Sequence, residues 1–123
     1  MRKSIRKSSM WNSKKLKLAI LVPTKDTVYS SFAYCLTQLV KITTEASVET
    51  FLFFDSSTIL LNQRNNLLEQ ARKIDADYVL WVDSDMMFPS TTALRLLQHN
   101  VDIVACNYSK RTKPLKTVAY RDL

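Results

Sequence analysis

The sequence predicts an α/β fold in which helices pack on both faces of a mostly parallel β-sheet, as a three-layer sandwich. Two observations predict it. Short apolar segments with strand composition alternate along the chain with longer segments of helical periodicity. The apolar segments are continuous hydrophobic runs, which is typical of strands that are covered on both faces. Strands separated by helices join through right-handed crossovers into a parallel sheet.

The first half of the chain contains two predicted strands with a helix between them. Residues 16–22 form an apolar run that ends at Pro23, which indicates a strand. Residues 30–43 carry apolar side chains at the spacing of one helical face, which predicts a helix. Residues 48–54 form the second apolar strand, and Asp55 follows it.

The second half continues this alternation. Residues 62–74 predict a second helix, and residues 78–82 predict a third strand rich in β-branched and aromatic residues. A third helix is predicted to begin at Pro89. Asn100 is suited to the left-handed conformation in which many helices end.

The last part of the chain predicts one further strand and the start of another. Residues 102–106 form a fourth apolar segment, residues 107–116 a basic loop, and residues 117–120 a short strand-like stretch. The resulting order β-α-β-α-β-α-β predicts a doubly wound, Rossmann-like layer.

The chain of 123 residues contains no glycine, and this excludes two large classes of nucleotide-binding protein. The G-x-G-x-x-G turn of dinucleotide-dependent dehydrogenases and the G-x-x-x-x-G-K-[ST] phosphate loop both require glycine for close backbone approach to phosphate. If the protein binds a nucleotide, it must therefore use side chains, helix N-termini or a metal ion.

The net charge of +7 comes mainly from the N-terminal part of the chain. Eight basic residues precede the first acidic residue, Asp26, and the rest of the chain has ten basic and eleven acidic residues. We therefore expect residues 1–15 to be a disordered basic tail and residues 16–123 to be the folded domain. Because this domain is nearly neutral, we expect no specific nucleic-acid binding by the core.

The motif Asp83-Ser84-Asp85 directly follows the third predicted strand. Carboxylates two residues apart on extended backbone point to the same side, and open α/β sheets bind ligands at the carboxyl ends of their strands. Mg²⁺ is usually held by one or two carboxylates together with substrate phosphates. The motif thus predicts a metal or ligand site, although Asp and Ser also form plain turns.

Arg64 falls on the apolar stripe of the second predicted helix. A buried guanidinium needs a partner, so we expect either an ion pair with Asp83 or Asp55 or an anionic ligand. A crevice at the carboxyl edge of the sheet would also collect the residues that end or follow the first two strands or lie near the start of this helix: Pro23, Thr24, Asp26, Asp55 and Asn65.

Taken in order, these segments resemble the GT-A glycosyltransferases, especially the family-2-like enzymes of bacteria and tailed phages. The resemblance covers residues 16–114 and is carried by four pieces: AILVPT at 19–24, QRNNL at 63–67, ADYVLWVDSDM at 76–86 and DIVACNY at 102–108. It implies the Rossmann-like nucleotide-diphospho-sugar transferase fold, of which this chain would be the N-terminal, donor-binding half, incomplete at its C-terminus.

The resemblance implies an enzyme that transfers a sugar from a nucleotide-diphosphate-sugar donor, with Mn²⁺ or Mg²⁺ as cofactor. The acceptor, whether glycan, lipid, protein or modified base, is not specified, and neither is a catalytic residue. Asp83 and Asp85 would bind the metal. The implied donor-binding residues are Pro23, Thr24, Asp26, Asp55, Arg64, Asn65, Asp83 and Ser84.

Two alternatives stay open. The chain could be a non-catalytic, nucleotide-binding donor half, or it could be another Mg²⁺-dependent nucleotide-sugar enzyme. Nucleotidylyltransferases of this type carry a Gly-rich loop, which a chain without glycine does not have.

The two cysteines, Cys35 and Cys106, are too few for a disulfide scaffold. Both lie in apolar segments, which indicates buried free thiols in a reducing compartment. No apolar run approaches the roughly 20 residues of a membrane span. We therefore expect no transmembrane segment and a cytoplasmic protein, in the host cytoplasm if the chain is viral.

Overall fold

The structure is a computed structural model that describes residues 14–106. Within this range strands and helices alternate, as the sequence predicts. The elements are β1 (Lys17–Pro23), α1 (Ser30–Glu45), β2 (Glu49–Asp55), α2 (Leu60–Lys73), β3 (Tyr78–Trp81) and α3 (Thr92–Gln98).

The strands form a small, open, all-parallel sheet in the order β2-β1-β3. The central strand β1 pairs with β2 from Lys17↔Glu49 to Pro23↔Asp55, and on its other side with β3 from Leu18↔Tyr78 to Leu21↔Trp81. The chain therefore moves to one side of β1 and then returns past it. Right-handed crossovers in opposite directions place α1 and α2 on opposite faces of the sheet.

The core lies on both faces of β1, where residues 18–22 are at most 2% exposed. Alternate side chains of a strand point to opposite faces, which divides this run into two clusters. One cluster joins Leu18, Ile20 and Val22 to buried residues of α1 and α3: Phe32, Leu36, Leu39 and Ala93. The other joins Ala19 and Leu21 to the buried face of α2: Leu67 and Ala71.

One predicted strand is wrong. Residues 102–106 form no strand in the structure, and Ile103 is 91% exposed. These residues have the apolar composition of a strand, but a strand also needs a neighbour that completes its backbone hydrogen bonds. The structure places the segment beside β3 without pairing it to that strand.

Several boundaries differ from the prediction by a few residues. α1 extends to Glu45, α2 begins at Leu60 and β3 ends at Trp81, one residue before the predicted end. The third helix begins at Thr92 rather than Pro89, because Pro89 and Thr91 belong to the turns that precede it. Helix and strand ends depend on caps and turns that apolar periodicity does not report.

Each helix is followed by a residue in the left-handed conformation: Ser47 with φ 67°, Asp75 with φ 56° and Asn100 with φ 52°. The predicted left-handed conformation of Asn100 is thereby confirmed. Glycine normally fills this position because it has no Cβ to clash. In a chain without glycine, short polar side chains fill it instead.

Some predictions lie outside the described residues. They are the disordered tail as far as residue 13, the basic loop over residues 107–116 and the strand-like residues 117–120. Both cysteines are free thiols, but their predicted burial is wrong: Cys35 is half-buried and Cys106 is exposed, because the segment at 102–106 forms no strand that would cover it. Among residues 14–106, no helix combines the length and the apolar character needed to cross a membrane.

Candidate functional site

A cleft of about 1000 Å³ lies at the carboxyl edge of the sheet. Its walls come from the segments that follow β1, β2 and β3 and from the first turns of α2. The structure brings most of the predicted site residues together in its lining: Pro23, Thr24, Asp26, Arg64, Asp83, Ser84 and Asp85. These residues are far apart in the sequence, and the parallel sheet collects them because all its strands end at the same edge.

Asp55 and Asn65 do not line the cleft. The Asp55 carboxylate accepts hydrogen bonds from the Ser57 hydroxyl, from the Ser57 backbone N–H at 2.8 Å and from the Asn66 amide at 3.1 Å. The Ser57 hydroxyl makes the largest contribution to lowering the pKa of Asp55 below its ordinary value, followed by the Ser57 N–H. Asp55 thus holds the turn after β2, while Asn65 is exposed on α2.

Asp83 and Asp85 lie in a turn. The predicted extended backbone is wrong here: the Asp83 carbonyl accepts a bond from the Met86 N–H at 3.3 Å, and Ser84 and Asp85 are turn residues. β3 pairs with β1 only as far as Trp81, apart from one further bond from the Val82 N–H to the Leu21 carbonyl, and the turn follows that bond. Both carboxylates are exposed and border the same cleft.

The Arg64 guanidinium lies over the Trp81 ring, with its carbon 4.9 Å from the ring centroid. The partners predicted from the sequence for this half-buried side chain are carboxylates or an anionic ligand. An aromatic face is a further solution, because it attracts the cation while leaving the N–H groups at the guanidinium edge available for hydrogen bonds.

Gln63 is a lining residue to which the sequence argument gave no role. Its side chain is only 8% exposed, and its amide nitrogen donates to the Thr24 carbonyl at 2.8 Å and to the Asp55 carbonyl at 3.1 Å. It therefore ties α2 to the ends of both β1 and β2. The available signal was its position four residues before Leu67 and eight before Ala71, on the buried stripe of α2.

The hydroxyl oxygen of Thr24 is buried and has no hydrogen-bond partner within the described part of the chain. Next to it, the Thr24 N–H continues the ladder between β1 and β2 by donating to the Asp55 carbonyl at 3.0 Å. A buried hydroxyl without a partner is uncommon, because its desolvation is not compensated.

The acidic turn offers oxygen donors only: the Asp83 and Asp85 carboxylates and the Ser84 hydroxyl. Over residues 14–106, no three His, Cys, Asp or Glu side chains are grouped so that they could hold a metal ion. This donor set does not fit a closed, all-protein metal site. It fits a hard cation that is shared between carboxylates and the phosphates of a ligand.

No family model, curated protein or solved structure matches this chain. Its function is therefore inferred from the cleft residues and from the sequence resemblance described above.

Proposed function

We propose that the cleft binds the nucleotide-diphosphate part of a sugar donor together with Mn²⁺ or Mg²⁺, and that the protein acts in transfer of the sugar to an acceptor. The observation that carries the proposal is the convergence of separate segments on one cleft. Thr24 and Asp26 come from the end of β1, Arg64 from α2, and Asp83 and Asp85 from the turn after β3.

The position of the cleft supports ligand binding. From β1 the chain crosses to β2 on one side, and from β2 it crosses back to β3 on the other side of β1. Open α/β sheets bind ligands outside the carboxyl ends of their strands, at the point where the direction of the crossovers reverses. This is the place where a Rossmann-like fold of the GT-A type would hold its donor.

The residues around the cleft suit the parts of such a donor. Asp83 and Asp85 would hold the cation jointly with the diphosphate. Arg64 supplies a permanent positive charge with several N–H donors for phosphate oxygens. The buried Thr24 hydroxyl would gain in a ligand the hydrogen-bond partner that the described residues do not give it.

In the proposed reaction, the bond between the anomeric carbon of the sugar and the diphosphate oxygen breaks, and a bond to the acceptor oxygen or nitrogen forms. The sugar passes through an oxocarbenium-like state. When bound, the metal ion acts as a Lewis acid for the charge that builds up on the leaving diphosphate. The proposal includes an acceptor, a catalytic base and a cytoplasmic setting. It assigns none of these to a residue among those that the structure describes.

The proposal is tested by calorimetric titration of the full chain with UDP and with GDP, with and without Mn²⁺. We expect one of the nucleotides to bind in a metal-dependent way, and Asp85→Ala to weaken this binding by about tenfold or more, equivalent to about 1.4 kcal/mol. Glu69→Ala is the matched control, because Glu69 is exposed on α2 and lies outside the cleft lining.

The proposal fails if the folded protein binds neither nucleotide, or if binding is indifferent to both Mn²⁺ and Asp85→Ala. Metal-dependent binding without sugar transfer to any acceptor tested would instead identify a nucleotide-binding module. The titration tests donor binding, and a separate assay of sugar transfer tests catalysis.

A further inference from the structure

Trp81 occupies the end of β3, on the face of the sheet that is covered by α2. It is half-buried and packs against the cluster formed by Ala19, Leu21, Leu67 and Ala71. The Arg64 guanidinium lies over this ring, with its carbon 4.9 Å from the centroid. The cation on the helix is therefore fixed relative to the sheet by an aromatic side chain of the neighbouring strand.

Arg64 lies where two cavities meet. It lines the polar cleft, and it also lines an apolar groove of about 630 Å³ beside β3. Trp81 lines the groove but is absent from the lining of the cleft. A ligand in the cleft can therefore meet Arg64 directly, whereas Trp81 can act on that ligand only through Arg64.

An unrestrained arginine has several rotatable bonds, and ordering them on binding lowers affinity for the ligand. The indole ring limits this freedom before the ligand arrives, because it attracts one face of the planar guanidinium. The N–H groups around the edge of the same plane remain able to donate to phosphate oxygens.

We propose that Trp81 is the positioning residue of the cleft and holds the Arg64 guanidinium in the orientation that binds a diphosphate. The inference rests on the proposed function in taking the diphosphate of a nucleotide as the natural ligand. Its direct probe is inorganic pyrophosphate, which carries the phosphates without nucleoside or sugar.

The test is a double-mutant cycle on the full chain, with pyrophosphate affinity measured at constant Mg²⁺. We expect Trp81→Leu to weaken pyrophosphate binding about three- to thirtyfold, and Trp81→Phe to weaken it less because a ring face remains. In the Arg64→Ala background, Trp81→Leu should cause no further loss. A purely structural role for Trp81 would instead lower affinity by the same factor in both backgrounds.

Two further comparisons test the coupling between Trp81 and Arg64. Arg64→Lys keeps the charge but loses the planar group, so we expect it to reduce the effect of Trp81→Leu to less than half of its wild-type factor. If Trp81→Leu does not fold, as judged by circular dichroism, Trp81→Phe and Arg64→Lys complete the same cycle. Uridine, which has no phosphate, should bind wild type and Trp81→Phe equally.

The proposal is overturned if the Trp81 substitutions leave pyrophosphate affinity unchanged, if their effect is the same without Arg64, or if the wild type does not bind pyrophosphate. Failure of the proposed function looks different. In that case pyrophosphate would bind and show the coupling between Trp81 and Arg64, while neither UDP nor GDP would bind, or their binding would be indifferent to both Mn²⁺ and Asp85→Ala.

Discussion

At the scale of single residues, one buried amide connects the loops that build the cleft. Gln63 donates from its side-chain nitrogen to the carbonyls of Thr24 and Asp55, at 2.8 and 3.1 Å. These carbonyls lie at the ends of β1 and β2, beyond or at the last rung of their ladder. The spacing of the two loops therefore depends on a side chain from α2.

We predict that Gln63→Leu lowers the free energy of unfolding by about 1–3 kcal/mol, because it removes the side-chain donor to the Thr24 carbonyl and one of the two donors to the Asp55 carbonyl. Urea denaturation followed by circular dichroism measures the change. Gln70→Leu is the matched control: the same substitution at an exposed position of α2, with an expected change within about 0.5 kcal/mol. Equal effects of the two substitutions would contradict the role given to Gln63.

Asp55 and Asp83 show why an acidic residue at a strand end is an ambiguous signal. Asp55 ends β2 and Asp83 follows β3, and the sequence predicts that both lie at the ligand site. In the structure the Asp55 carboxylate accepts hydrogen bonds from Ser57, in the turn after β2, and from Asn66 on α2. Asp83 instead borders the cleft. The sequence does not reveal which local donors will capture a carboxylate before a ligand does.

At the scale of the elements, the helices end without glycine. Ser47, Asp75 and Asn100 adopt positive φ one residue beyond the C-caps of α1, α2 and α3. A non-glycine residue in this conformation is destabilised by contact between its Cβ and the backbone, by roughly 1–2 kcal/mol for most side chains and less for Asn or Asp.

We predict that Ser47→Gly and Asp75→Gly each raise the free energy of unfolding by about 0.5–1 kcal/mol, because glycine adopts the left-handed conformation without this contact. The control is Ala46→Gly, at a C-cap with φ −84°, where added backbone freedom should destabilise the protein. Thermal unfolding of the three variants measures the changes. A loss of stability in Ser47→Gly as large as that in Ala46→Gly would contradict the prediction.

The prediction of strands and helices was correct where the apolar pattern was strong. It was wrong for the segment in which strand formation depends on pairing with a neighbouring strand. The runs at 16–22 and 48–54 form strands because they pair with each other in the sheet. The run at 102–106 has a similar composition but pairs with nothing in the described sheet. Composition measures how well a segment suits a strand, and pairing is a property of two segments together.

At the scale of the whole molecule, stability is concentrated in the central strand. Ile20 is fully buried, while its register partner Leu52 on the edge strand β2 faces the same side and is 37% exposed. The two residues have nearly the same volume and neighbouring positions, so the difference between them is burial.

We predict that Ile20→Ala lowers the free energy of unfolding by about 2–5 kcal/mol, because the closely packed core cannot fill the cavity that is left. Leu52→Ala is the matched control and should cost less than half as much, since its side chain already contacts water. Urea denaturation of both variants gives the comparison. A larger loss for Leu52 would mean that a surface not formed by residues 14–106 covers β2.

The sequence by itself determined the α/β class, the positions of the principal strands and helices, and seven of the residues that line the cleft. It could do so because apolar periodicity is local, and because parallel strands bring their carboxyl ends to one edge. Only the tertiary structure decided three contacts. The Arg64 guanidinium lies over the Trp81 ring, the Gln63 side chain joins the loops after β1 and β2, and the Asp55 carboxylate accepts a hydrogen bond within its own turn. The contacts of Arg64 and Gln63 join residues far apart in the chain, and they are fixed only when α2 packs across the sheet. The contact between Asp55 and Ser57 is local and depends on the geometry of the turn, which the sequence pattern does not report.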